Sequence, residues 1–214
     1  MFQAVLVAIF VVAQAAPVVR NTWAAQYQHG SAETFAAKFE EPNREIFRYR
    51  AAIVGLMQLK PGMTAGEVGA GSGFMARFMA TKVGPEGRVI ANELEPKMVT
   101  YMKARAEKEG LTNFTVVQGK PAASGFEPAS LDAVALVQTF SYLDQPSEML
   151  KSLYESVKPN GLLLIVDFPR EGMPPAAPGM DAEEVIPMAT AAGFTRVGEN
   201  GVVPGHYALI FRKK

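Results

Sequence analysis

The chain has 214 residues, 49% hydrophobic and 20% charged, enough for one sizeable core and too few for two ordinary domains. Lysine plus arginine equals aspartate plus glutamate at 21 each, so no global field recruits nucleic acid or an anionic membrane surface, and a small, weakly charged substrate fits better. There is no cysteine, and the two histidines are His29 and His206; disulfides, thiolate metal sites and a cysteine nucleophile are excluded, and no metal site is expected.

Ala4 to Ala13 is an unbroken apolar run, and Gln14-Ala15-Ala16-Pro17 after it offers the small residues a signal peptidase uses. No lysine or arginine precedes the run, the first positive charge being Arg20, so the usual charged leader start is missing. Residues 1–16 are expected to be a signal peptide, which places the protein outside the cytoplasm, or an uncleaved anchor; a buried N-terminal helix in a cytoplasmic protein is the other reading.

Residues 17–60 are expected to form an N-terminal helical cap. Trp23 to Phe39 is polar with scattered aromatics, and Glu41-Pro42 predicts the opening of a helix. Ile46, Phe47, Ala51, Val54 and Met57 or Gln58 then repeat at helical period, until Leu59-Lys60-Pro61-Gly62-Met63 supplies a turn.

Residues 61–214 alternate short apolar runs with helical stretches, the pattern of an α/β sheet with crossover helices. Strands are predicted at 65–68, 88–92, 114–118, 133–138, 162–168, 195–199 and 207–212, and helices at 73–83, 96–109, 146–157 and 182–192. The Val- and Leu-rich middle strands read as buried on both faces. The last two strands are joined through Asn200-Gly201 without a crossover helix, so the final one should run antiparallel. Gly172 to Gly179 is a Pro/Ala loop that reads as a lid or a passive linker.

The most informative stretch is Glu67-Val68-Gly69-Ala70-Gly71-Ser72-Gly73. After a strand, three glycines let the backbone turn tightly and approach a ligand, and the following helix presents unpaired N–H groups. Gly71-x-Gly73-x-x-Ala76 also satisfies a dinucleotide fingerprint, and Glu93 lies about 20 residues on, where a carboxylate can accept both ribose hydroxyls of either ligand. Glu67 favours a methionine moiety, because a carboxylate there faces an amino group and repels a pyrophosphate.

These residues, with Leu59-Lys60-Pro61-Gly62-Met63 before them, Val83-Gly84-Pro85-Glu86-Gly87-Arg88-Val89-Ile90-Ala91 after them and Glu93-x-x-Pro96-x-Met98, resemble the donor-binding half of class I S-adenosylmethionine-dependent methyltransferases. Leu131-Asp132-Ala133-Val134 and Val157-Lys158-Pro159-Asn160-Gly161-Leu162 through Phe168 resemble the fourth and fifth strands of that family. The resemblance implies a Rossmann-like sheet of seven strands, mostly parallel with an antiparallel C-terminal strand and helices on both faces. It also implies S-adenosyl-L-methionine as methyl donor and an O, N or C nucleophile of a small molecule as acceptor.

Carried over, Glu67, Gly69, Gly71 and Gly73 hold the methionine end, with Ala70 and Ser72 in the same turn, and Glu93 with Leu94 holds the ribose. Many relatives place an acid after the third strand for the adenine amino group; Gln118-Gly119-Lys120-Pro121 stands there instead, leaving that work to backbone groups or to Gln118. Gln138, leaving the fourth strand, is the last expected donor contact. Methylation of a macromolecule such as a protein, an NAD-dependent oxidoreductase and a non-catalytic donor-binding protein are the alternatives; no basic cluster points to RNA.

An activated sulfonium methyl needs mainly an acceptor held in line and water excluded. Relatives acting on small molecules often carry histidines after the fourth strand, where this chain has Gln138-Thr139-Phe140-Ser141-Tyr142. Tyr142 and His29 are the candidates for a base, each weighed against a packing or surface role; the ordinary tyrosine pKa of about 10 stands against the first. His206 after Pro204-Gly205 reads as a turn contact. Asp144 reads as a helix cap before Pro146 or an acceptor-side group. Phe35, Phe39, Phe47 and Tyr49 read as core or as an aromatic acceptor pocket.

Overall fold

The computed structural model describes residue 27 and residues 29–171 and 179–214. The expected leader or anchor at 1–16 and most of the 172–179 loop lie outside the described residues. No helix among those described is long and apolar enough to cross a membrane.

Among the described residues, the helices delimited before the sheet are α1 (Ala32–Phe39), α2 (Glu45–Arg48) and α3 (Arg50–Leu56). The polar stretch before Glu41 holds α1, which the residue pattern did not announce; Ser31 caps it by accepting the Thr34 amide, and it buries Phe35 and Ala36. The single helix expected from Pro42 is instead two. Pro42 and Asn43 form a turn closed by the Arg44 amide on the Glu41 carbonyl (3.0 Å), and Arg44 stays extended. Tyr49, at φ −92° and ψ 9°, interrupts the helix again. Of the expected apolar face, Ile46, Val54 and Met57 are buried and Phe47 is half-buried, but Ala51 is exposed and Ile53 is buried in its place, because the break at Tyr49 turns the following helix.

The sheet comprises β1 (Thr64–Val68), β2 (Arg88–Glu93), β3 (Phe114–Gln118), β4 (Leu131–Val137), β5 (Val157–Asp167), β6 (Phe194–Asn200) and β7 (Tyr207–Lys213). Its order is β3-β2-β1-β4-β5-β7-β6, parallel except for β7, which runs antiparallel between β5 and β6. Helices α4 (Phe74–Val83), α5 (Pro96–Lys108), α6 (Pro146–Ser156) and α7 (Ala182–Ala191) cover the two faces.

Strand alternation divides the core in two. Leu162, Leu164 and Val166 of β5 pack with α3, α4 and α5, whereas Leu163 and Ile165 point to the other face with α6 and α7. Strand boundaries shift from the expectation by at most two residues, except for five at the start of β5. β5 begins at Val157, with the antiparallel Arg212↔Leu162 pairing well inside it, and β4 stops at Val137 because Gln138 adopts a left-handed φ of +50°.

The chain leaves β1 toward β2 and β3 on one side and returns to β4 on the other. The carboxyl ends of β1 and β4 therefore diverge in connection and leave a crevice between them.

Candidate functional site

A cavity of about 200 Å³ opens at that crevice. Its floor is the glycine turn. The amides of Gly69 and Ala70 both donate to the Asn92 carbonyl (2.9 and 3.0 Å), the Gly71 amide donates to Glu93 Oε2 (2.7 Å), and the Gly73 amide closes on the Ala70 carbonyl (2.8 Å). Gly69, Gly71 and Gly73 all have positive φ, a conformation that side chains with a Cβ resist. A Cβ on Gly69 would lie 2.4 Å from Thr139, and one on Gly73 would lie 2.9 Å from the Met102 sulfur. The turn thus needs its glycines for packing as well as for close approach. The donor groups expected to be free are partly committed, since Glu93 already takes the Gly71 amide.

Two acids stand on either side of this floor. Glu67 is 3% exposed, and its Oε2 has no hydrogen-bond partner. Burial pushes its pKa well up, the Ala76 amide pulls it back, and Glu93 nearby raises it again. Glu93 is raised chiefly by burial and is lowered by the amides of Glu95, Gly71 and Leu94. Those three amides occupy three of the roughly four lone-pair positions of the carboxylate: Oε1 accepts Leu94 and Glu95, and Oε2 accepts Gly71. One position, on Oε2, is left for a ligand, so this arrangement accommodates one ribose hydroxyl where the sequence suggested two.

Neither acid forms an ion pair among the described residues. Two buried carboxylates without a cation are costly and are relieved by a positively charged ligand. The unpartnered Glu67 Oε2 suits a cationic group such as an ammonium. A pyrophosphate fits neither.

Of the residues expected to touch the donor, Glu67, Gly69, Ala70, Gly71, Glu93, Leu94, Lys120 and Gln138 line the cavity. Ser72, Gly73, Gln118 and Gly119 do not. The Ser72 hydroxyl is buried without a partner, and Gly73 caps α4. Gln118 uses its amide to donate to the carbonyls of Glu93 and Leu94, tying the ends of β2 and β3 together, and the Gly119 amide donates to the Glu93 carbonyl. Gln118 and Gly119 thereby fix the loop after β2 at the edge of the crevice.

On the other side, Tyr142 lies in a 3-10 turn (Phe140–Tyr142) and lines the cavity close enough to Arg44 to act on its charge. Asp144 also lines the cavity. It is not the expected helix cap: Gln145 occupies the N-cap of α6, without a side-chain capping bond. His29 is exposed and absent from the cavity wall. Phe39 is in the wall, Phe35 packs on Tyr27 and Phe39, and Phe47 packs on Phe74. His206 makes the expected turn contact, Nδ1 to the Pro204 carbonyl at 2.8 Å, and also stacks on Phe168.

Two cap residues in the wall had no signal in the sequence. Tyr27 reaches the cavity, where burial and Glu93 push its hydroxyl far above the usual tyrosine range. Arg44 lies beneath the cap with its guanidinium donating to the Phe39 carbonyl (2.9 Å) and to Gln138 Oε1. Its partner is 94 positions away along the chain, which no local pattern reveals.

Residues 66–165 match the family described as "Methyltransferase domain". A SAM-dependent methyltransferase from Aquifex aeolicus superposes with a TM-score of 0.77 at 25% identity, covering 87% of this chain and 100% of that one. Residues 66–165 are thus a methyltransferase domain, and the chain has the class I methyltransferase fold. The methyltransferase fold is shared at 18% identity with Haemonchus contortus phosphoethanolamine N-methyltransferase 2 (TM-score 0.70, 86% of this chain, 46% of that one). The [4+2]-cyclase SpnF shares it too, at 16% identity and a TM-score of 0.68, covering 78% of this chain and 80% of that one, so the fold alone does not name a reaction.

Among curated relatives, the ubiquinone/menaquinone biosynthesis C-methyltransferase UbiE of Legionella pneumophila is 28% identical over 134 residues, 62% of this chain and 54% of that protein. A protein-L-isoaspartate O-methyltransferase of Pyrococcus horikoshii is 35% identical over 116 residues, 54% of this chain and 49% of that protein. The chain spans about half the length of the curated relatives it matches. The methyltransferase-domain match, with the paired acids, sets aside the dinucleotide oxidoreductase that the glycine pattern alone left open.

Proposed function

We propose that this chain transfers the methyl group of S-adenosyl-L-methionine to an O, N or C nucleophile of a small molecule. The observation that carries the reading is the buried Glu67 carboxylate, with an unpartnered oxygen beside a left-handed glycine turn and a second acid at the end of the next strand. The donor, when bound, supplies an electrophilic methyl group on a sulfonium. Glu67 would hold its ammonium, the remaining position on Glu93 Oε2 a ribose hydroxyl, and Leu94 and Lys120 would border the base. The chain's own part is then to place the acceptor and exclude water.

A small acceptor is favoured by the roof. Tyr27, Phe39 and Ile46 of the cap close over the glycine floor, and Glu40 of the same cap is clamped to Arg77 and Arg105 on α4 and α5. A protein side chain would have to enter beneath these helices. Incubation with methyl-labelled donor and fractionated lysate tests this: label in low-mass material is expected. Label entering polypeptide would replace the small acceptor by a protein one, and an absence of transfer to every fraction would favour donor binding without catalysis.

A further inference from the structure

Arg44 is a half-buried cation with no carboxylate partner among the described residues, although burial disfavours its charge. It is held in place by a chain of side chains whose protons can be assigned. Arginine only donates, so the Gln138 atom facing it is the amide oxygen, as placed. The Gln138 NH₂ must therefore face His206 Nε2, 2.8 Å away, and that nitrogen must accept. His206 Nδ1, 2.8 Å from the Pro204 carbonyl, must then carry the proton. The imidazole is neutral in its Nδ1–H tautomer, and burial together with Arg44 lowers its pKa, consistent with that state.

The position of this chain within the sheet matters. Of the donor-side acids, Glu67 is the penultimate residue of β1 and Glu93 the last of β2. Gln138 follows β4, Phe168 follows β5, and His206 precedes β7. Arg44 reaches this half through its bond to Gln138, and its other bond, to the Phe39 carbonyl, holds it to the cap. Gln138, which carries the tether, is held at φ +50°, a left-handed conformation that a non-glycine residue keeps only where its surroundings impose it.

We propose that Arg44, positioned through Gln138 by His206, is the anion-binding group of the acceptor half of the cavity, so that the methyl acceptor is a small molecule carrying a carboxylate or an equivalent anionic oxygen. This rests on the methyltransferase reading above. A guanidinium pre-oriented by a neutral amide offers its remaining N–H groups to an incoming carboxylate, which pairs a charge the protein leaves without one. His206 touches neither ligand; it fixes the Gln138 amide orientation and so the direction of Arg44.

The test uses the full chain, saturated with S-adenosylhomocysteine, with benzoate and its neutral isostere benzamide as probes followed by calorimetry. Benzoate should bind about tenfold more tightly than benzamide in the wild type, the range of a charge-assisted hydrogen bond. Arg44→Met should remove the preference while changing S-adenosylhomocysteine affinity little, and Arg44→Lys, which keeps the charge and loses the fork, should retain part of it. Gln138→Glu should abolish the preference by supplying an internal carboxylate. In ¹⁵N NMR, His206 should show the Nδ1–H tautomer in the wild type and become doubly protonated in Gln138→Glu, a signature that a purely structural histidine would not give.

Equal binding of benzoate and benzamide by the wild type would overturn the proposal, as would an Nε2–H tautomer. So would an Arg44→Met variant that loses S-adenosylhomocysteine tenfold but keeps 5′-methylthioadenosine, because the cation would then serve the donor's carboxylate. If the wild type binds no S-adenosylhomocysteine, the methyltransferase reading fails instead; the two probes, measured without it, still report on Arg44.

Discussion

Replacing Glu67 by glutamine separates the cost of the site from its use. The substitution keeps the size and one oxygen for the Ala76 amide, while removing a charge that is 3% exposed and has no cation beside it. At Oε2 the variant exchanges one unpartnered polar atom for another, so no hydrogen bond in the empty protein is lost. Relief of the buried charge should stabilise the empty protein at neutral pH by about 1 kcal/mol, or roughly 2–4 °C in Tm for a chain of this size. Donor binding should move the other way. A charge-assisted contact from an ammonium contributes about 1.5–3 kcal/mol, so S-adenosylhomocysteine should bind roughly 10- to 150-fold more weakly. Calorimetry with S-adenosylhomocysteine and with 5′-methylthioadenosine, which lacks the amino-acid tail, reads the effect, and only the first should lose affinity. Equal losses for both, or no loss for either, would refute the assignment of Glu67 to the ammonium.

Gly69→Ala forces a Cβ to 2.4 Å from Thr139 at φ +72° and should destabilise by about 2–4 kcal/mol in urea titration; adding Thr139→Ala should recover part, leaving the strain of the left-handed alanine. Asp167 is buried, with its pKa pushed up by burial to about 6 despite bonds from the Ser141 amide and hydroxyl and the Phe168 amide. Its folded pKa lies above the unfolded value, so stability should fall as pH rises from about 4 to 6, by on the order of 3 kcal/mol, and Asp167→Asn should flatten that slope in a pH series of denaturation curves. Glu40→Ala cuts the ion pairs from the end of α1 to Arg77 and Arg105 and should speed hydrogen exchange of the α1 amides severalfold while leaving the sheet protected.

What was legible in the sequence was local. Glu67, the glycines and Glu93 fall within 27 consecutive residues of a strand–turn–helix–strand unit, and the inner strands announce themselves by apolar residues that the pleat sends to the two core faces, whereas edge strand β6 buries only Phe194. The reversed β7 was legible for a similar reason, since no helix separates it from β6. Arg44 was not legible, because its role depends on Gln138 and His206, which only the assembled sheet brings to it. Helix α1 escaped because one turn-capping serine and two buried residues are a weak periodic signal. The Asp144 cap failed because Gln145 takes the position adjoining Pro146, leaving Asp144 to the cavity.

The measurement that bears most directly on the whole account is a titration of the purified chain with S-adenosylhomocysteine, competed by NAD. One saturable site per chain, weakened by Glu67→Gln and indifferent to NAD, is the expected result. A folded protein that shows no saturation at millimolar concentration, or that yields its site to NAD, contradicts it.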